Sequence, residues 1–85
     1  MLAKNLKLIR IKEVTEVSGL KRSTLYDHIK QGIFPSQIKL GVRCSAWIES
    51  EVLEVNFARI AEKTELEIKE LVAKQKVLRL QNNFY

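Results

Sequence analysis

Very few residues in this 85-residue chain are equipped for chemistry of their own. Its one cysteine, Cys44, excludes an intramolecular disulfide, and its one histidine, His28, leaves no Cys/His cluster for a zinc site. No carboxylate pair, nucleophile with a base, phosphate loop or metal-ligand spacing can be assembled. An enzyme is therefore not expected, nor a cofactor or a small-molecule substrate. No apolar run approaches the ~18 residues of a membrane span, and Lys4, Lys7 and Arg10 are scattered where a signal peptide would be apolar. These absences predict a cytoplasmic protein with no membrane partner. Three glycines and one proline are too few for a disordered or collagenous chain. With 46% hydrophobic and 29% charged residues, the composition is that of one small, soluble, helix-rich domain.

What the chain does have is basic charge in one place. Residues 1–48 hold nine Lys/Arg against three acids, whereas residues 49–85 hold six against seven, so the net charge of +5 belongs to the first half. Such a surplus on a small domain is the footprint expected of nucleic-acid binding, because neutralising phosphates releases counterions. Charge alone also leaves open a solvated basic face, an anionic membrane or an acidic partner.

The hydrophobic spacing supplies a shape. Leu6 to Arg10 alternates in the manner of a short strand or extended lead-in. Ile11, Val14 and Val17 form one helical stripe, stopped by Gly19. A second helix fits Arg22 to Gln31, with Leu25 and Ile29 on its apolar face, Gly32 as its stop and Pro35 beyond. At about 100° per residue Tyr26, Lys30, Ser23 and Asp27 gather on the opposite face. Two short helices across the tight segment Ser18-Gly19-Leu20-Lys21 have the spacing of a helix-turn-helix, although ordinary helical hairpins share it.

Gln37 to Leu40 and Arg43 to Ile48 read as a β-hairpin joined by Gly41-Val42, with Gly41 at the positive φ of a type II′ turn. Ile38, Leu40, Trp47 and Ile48 are available to pack it on the helices, leaving Lys39 and Arg43 outward. Ser50 is the expected N-cap of a third helix, with Glu51 and Glu54 in its first turn and Val52, Val55, Ile60 and Phe57 to close the core. Thr64-Glu65-Leu66-Glu67 has the capping-box pattern, opening a last helix over residues 65–81. Its stripe of Ile68, Leu71, Val72 and Leu78, with Gln75 at the one polar core position, needs a partner in its own domain or in a second copy. Residues 82–85 are expected to fray. The fold class is mainly α with a small β-hairpin wing: a winged helix-turn-helix over residues 1–62 and a C-terminal helical extension over residues 63–85, a candidate for dimerisation.

In that layout Arg22 and Ser23 stand where a recognition helix meets bases and phosphates. Lys30 suits a phosphate, as does Arg43 at the hairpin tip, with Lys39 the weaker wing contact. Thr24 suits a phosphate contact or turn packing, and Tyr26 a base edge, a phosphate or the rim of the core. Trp47 is expected in the core, His28 as a packing residue or phosphate donor, and Cys44 as a buried filler.

The stretch from Ile9 to Ala61 resembles the AlpA family of small phage and prophage DNA-binding regulators, which are themselves similar to excisionases and MerR-type winged domains. The resemblance is carried by Arg10-Ile11-Lys12-Glu13-Val14, Gly19-Leu20, Arg22-Ser23-Thr24-Leu25-Tyr26, Ile29-Lys30, Gly32 and Phe34-Pro35. It continues through Lys39-Leu40-Gly41, Arg43, Trp47, Glu49-Ser50-Glu51-Val52 and Arg59-Ile60-Ala61. The sequence departs from the family's pattern at Lys21, where a Ser cap is usual, at Asp27, where a base is frequent, and at Val55, where a Trp is frequent. Residues 63–85 extend past the family's usual end. Asp27 on the groove-facing side repels phosphate but is able to accept a hydrogen bond from cytosine.

The resemblance implies a sequence-specific regulator of a phage or prophage-like element that controls transcription of integrase or excision genes. Helix 22–31 would occupy the major groove of double-stranded DNA and hairpin 37–48 the phosphates or minor groove. Two alternatives accompany it. One is a recombination directionality factor acting architecturally on attachment-site DNA, and the other a protein-interaction adaptor that uses the last helix. A single winged module has a small interface, so specificity calls for repeated sites, a homodimer or a cooperative oligomer, for which residues 65–81 are a candidate contact.

Overall fold

The structure, a computed structural model, describes residues 6–81; Lys4 and the expected frayed end at residues 82–85 lie outside them. The elements run β1 (Leu8–Ile9), α1 (Ile11–Ser18), α2 (Arg22–Gln31), β2 (Ile38–Gly41), β3 (Cys44–Ile48), α3 (Glu49–Ile60) and α4 (Glu65–Leu80). This is the winged helix-turn-helix expected, with a third strand added to the hairpin. The sheet is antiparallel in the order β1-β3-β2. Leu8 pairs with Ile48 and Ile9 with Trp47, which fastens the lead-in of α1 to the wing.

Glycine ends both short helices for a backbone reason. Gly19 (φ 73°) and Gly32 (φ 79°) take the left-handed conformation that side-chain-bearing residues resist, and their amides close back on Thr15 and on Ile29 and His28. The Ser18 hydroxyl accepts the Leu20 amide at 3.2 Å and tightens the turn between α1 and α2. Ile9, Val14, Leu25, Phe34, Trp47, Val52, Val55 and Ile68 form one core. Removing each aliphatic side chain from water contributes about 1.5–3 kcal/mol. Trp47 is fully buried, as expected, and its indole N–H donates to the carbonyl of buried Pro35 at 3.1 Å.

Several local expectations are corrected. The hairpin turn is Val42-Arg43, one residue later than read from the sequence; Gly41 lies in β2 and neither turn residue has positive φ. The register slips between Lys39 and Gly41, so Leu40 is the extra residue of a β-bulge and stays exposed instead of packing. The bulge supplies the twist that a primed turn would otherwise give. Cys44, opposite Gly41, is half-buried rather than a core filler. Val17 lies at the solvent edge of α1. β3 continues into α3 without a loop, so Ile48, not Ser50, is the N-cap, and the Glu49 amide donates to the Lys7 carbonyl across the sheet.

Phe57 and Ile60 do not close the core. With Leu53 they line the outward side of α3, opposite Val52 and Val55. Asn56 beside them donates to the Val17 carbonyl at 2.9 Å, binding α3 to the end of α1.

The capping box at Thr64 forms as read: its hydroxyl accepts the Glu67 amide at 3.1 Å, and Glu67 accepts the Thr64 amide at 2.9 Å. The chain reverses at Glu62, whose φ of 58° puts a residue with a Cβ in the left-handed region. α4 then lies against α3 of its own chain through Ile68, Leu71 and Val72. Gln75 is buried and donates to the Glu51 carbonyl and to Glu54 at 3.1 and 2.9 Å. Arg79 makes a fork to both oxygens of buried Glu51 and reaches the Ser36 carbonyl at 2.9 Å. Leu78, read as part of this stripe, is instead exposed.

Candidate nucleic-acid interface

The basic surface is built where β1, α2 and the wing meet. Arg22 opens α2, and Tyr26 follows one helical turn later; its ring sits 6.3 Å from that of Trp47, tilted by 60°. Trp47 is on β3, whose other end leads to the wing turn and Arg43. The pairing of Ile9 with Trp47 carries the next residue, Arg10, alongside β3. The outcome is a cleft of about 150 Å³ in which Arg10, Arg22 and Arg43 converge with Tyr26 and Ser45 over Trp47.

No acid lines that cleft, and the side chains of Arg10, Arg22 and Arg43 make no ion pair or hydrogen bond among the described residues. The N-cap of α2 is Lys21, whose side chain makes no hydrogen bond to the first amides of the helix. Lys21 therefore leaves open a place that a Ser would have closed.

Of the residues proposed from sequence, Arg22, Tyr26 and Arg43 are brought together in the cleft. Ser23, Asp27 and Lys30 are exposed on the outer face of α2, and Thr24 is half-buried on its flank. Lys39 is exposed on β2 but does not line the cleft. Arg10 was passed over as a site residue, because its place depends on a strand pairing 38 positions away in sequence, Ile9 with Trp47. Val42 was also missed: once the turn is correctly framed it stands at the wing tip beside Arg43, 93% exposed.

His28 belongs to the other side of α2. Its Nδ1 faces an Arg59 amino group of α3 at 3.4 Å, and burial, then Arg59, lower its pKa, opposed by Asp27 and Glu65. Among the described residues no group of three or more His, Cys, Asp or Glu is placed to hold a metal ion, and no helix is long and apolar enough to cross a membrane.

Comparison with known proteins matches residues 7–56 to the family described as "Prophage CP4-57 regulatory protein (AlpA)". That stretch runs from the start of the sheet into α3 and contains the whole cleft; α4 lies outside it. The chain is also 44% identical over 55 residues, 65% of its length, to "Uncharacterized protein ORF88" of Enterobacteria phage P4, and spans 62% of that protein. No solved structure matches it significantly.

Proposed function

The chain belongs to the AlpA family of prophage regulatory proteins, and from that premise we propose that it is a sequence-specific DNA-binding regulator of a phage or prophage-like element. Helix α2 enters the major groove, with Arg22, Ser23, Tyr26, Asp27 and Lys30 toward the base edges and their phosphates. The wing at residues 37–48 follows the flanking backbone through Lys39 and Arg43, and Val42 reaches toward the minor groove. The genes controlled are those of integration and excision. The observation that carries the reading is the set of arginine side chains that have no partner among the described residues, beside the uncapped start of α2. Holding like charges together without compensation is unfavourable, and a polyanion offsets it.

The stripe that the sequence left to its own domain or to a second copy is largely consumed within the chain, by Ile68, Leu71, Val72 and Gln75. A dimer through residues 65–81 therefore uses the other face of α4, where Leu66, Ala73, Val77 and Leu80 lie exposed within about 40° of one line at 100° per residue. It doubles a small recognition surface.

The test is selection from random duplex DNA with the wild type and Arg22→Ala at two salt concentrations. A recovered motif supports specific recognition, and an affinity drop with Arg22→Ala supports contact through α2. Binding without a motif that vanishes as salt rises refutes it, and directs the search to a protein partner for α4.

A further inference from the structure

We propose that the cleft between Arg10, Arg22 and Arg43 is a seat for one backbone phosphodiester, and that Arg10 is the DNA-contacting residue which fixes the wing and α2 to the same linkage. The proposal rests on the DNA-binding reading and deepens it, since it names the chemical group that one part of the interface holds.

The polar side chains of the cleft set its ligand. Three guanidiniums offer only donors, the Tyr26 and Ser45 hydroxyls are also able to donate, and no carboxylate competes. Such a set suits an anion that only accepts. The planar forks of arginine match the paired oxygens of a phosphate, and the three arginines of the cleft come from three separate parts of the chain. A space of about 150 Å³ has room for a phosphate group. Its floor is rigid: Trp47 is fully buried and held through Pro35, and Tyr26 rests against it.

The placement has a geometric consequence. Arg10 sits where β1 leads into α1, Arg22 at the start of α2 and Arg43 on the turn beyond the Leu40 bulge. A phosphate held by all three ties the strand pairing, the recognition helix and the wing to one point on the duplex, which sets how α2 meets the groove. Ser23 and Asp27, outside the cleft, are left to differentiate bases.

The experiment compares the full chain with Arg10→Ala and Arg10→Lys on the selected duplex and on a shuffled one, across a salt series, with circular dichroism confirming folding. Arg10→Ala is expected to weaken both duplexes about tenfold alike and to reduce the slope of log K against log salt by about 1, without altering the selected motif. Arg10→Lys restores the slope and only part of the affinity, because an ammonium lacks the fork. Replacing linkages one at a time with neutral methylphosphonate locates the seat: one linkage weakens the wild type and no longer matters to Arg10→Ala. Unchanged affinity and slope in Arg10→Ala, or a loss restricted to the selected motif, overturns the phosphate seat while leaving DNA recognition intact. Absence of duplex binding by the wild type overturns both readings. Arg10-dependent binding to polyglutamate in preference to duplex overturns them in favour of an acidic protein partner.

Discussion

Arginine is used in two opposite ways in this molecule. In the C-terminal helix pair, Arg79 is largely buried, forks onto Glu51 and reaches the Ser36 carbonyl, so its charge and several of its donors are spent inside the protein. At the junction of β1, α2 and the wing, Arg10, Arg22 and Arg43 share one cleft with no acid. The same side chain is a structural clamp in one region and an uncompensated charge in the other. What separates them is the presence of a partner, which the charge totals of the two halves only hint at. A buried charge must be neutralised within the fold, whereas exposed charges without partners cost the fold little and remain available to a ligand.

The largest expected effect comes from breaking the clamp. Arg79→Ala leaves Glu51 buried without its counter-charge, and urea unfolding should show a loss of about 3–5 kcal/mol. The DNA affinity of the molecules that remain folded should be unchanged. The reciprocal change, Arg22→Ala, should leave stability within about 0.5 kcal/mol and cost about 1–3 kcal/mol of binding to the selected site, measured by titration at fixed salt. A large stability loss from Arg22→Ala, or a direct binding loss from Arg79→Ala, would break the comparison.

The sequence made one of these regions easier to read than the other. Helix ends were legible because their causes are local: Gly19 and Gly32 stop α1 and α2, and Thr64 with Glu67 opens α4 within four residues. The wing was legible as alternation, but its frame was not. A glycine beside a turn suggests positive φ, while here a bulge at Leu40 does that work and moves the turn to Val42-Arg43. Arg22, Tyr26 and Arg43 were proposed from their places in a helix-turn-helix layout, and the fold sets them in one cleft. Arg10 was not, since only the pairing of β1 with β3 brings it to them. The Glu51–Arg79 clamp joins residues 28 positions apart on different helices, and neither periodicity nor capping announces such a pair. Phe57 and Ile60 show the converse error: apolar character is no guarantee of burial when the opposite side of α3 already faces the core.

A smaller effect tests how far α4 depends on its own start as well as on the clamp. Thr64→Ala removes the hydroxyl that receives the Glu67 amide, and should lower the unfolding free energy by about 1 kcal/mol, clearly less than Arg79→Ala. Comparable losses would mean that the capping box holds α4 down as firmly as the buried fork does.

The smallest expected effects are pH dependences, and they fall in different windows for the two regions. His28 on α2 has its folded pKa lowered below the ordinary 6.5 by burial and then by Arg59, so the unfolded chain takes up a proton first. Its contribution is complete above pH 6.5 and is lost as pH falls through the folded value. Glu67 on α4 is lowered from 4.5 chiefly by the Thr64 amide, so the capping box contributes fully above that pH and fades only in stronger acid. Thermal unfolding followed from pH 8 to pH 3 should therefore decline in two stages. His28→Gln should flatten the upper stage and leave the lower, while Glu67→Gln, which keeps an oxygen to receive the Thr64 amide, should flatten the lower alone. If His28→Gln leaves the decline below pH 6.5 unchanged, the contact with Arg59 does not couple α2 to α3. Helix α2 would then owe its seat to Leu25, Tyr26 and Ile29 against the core.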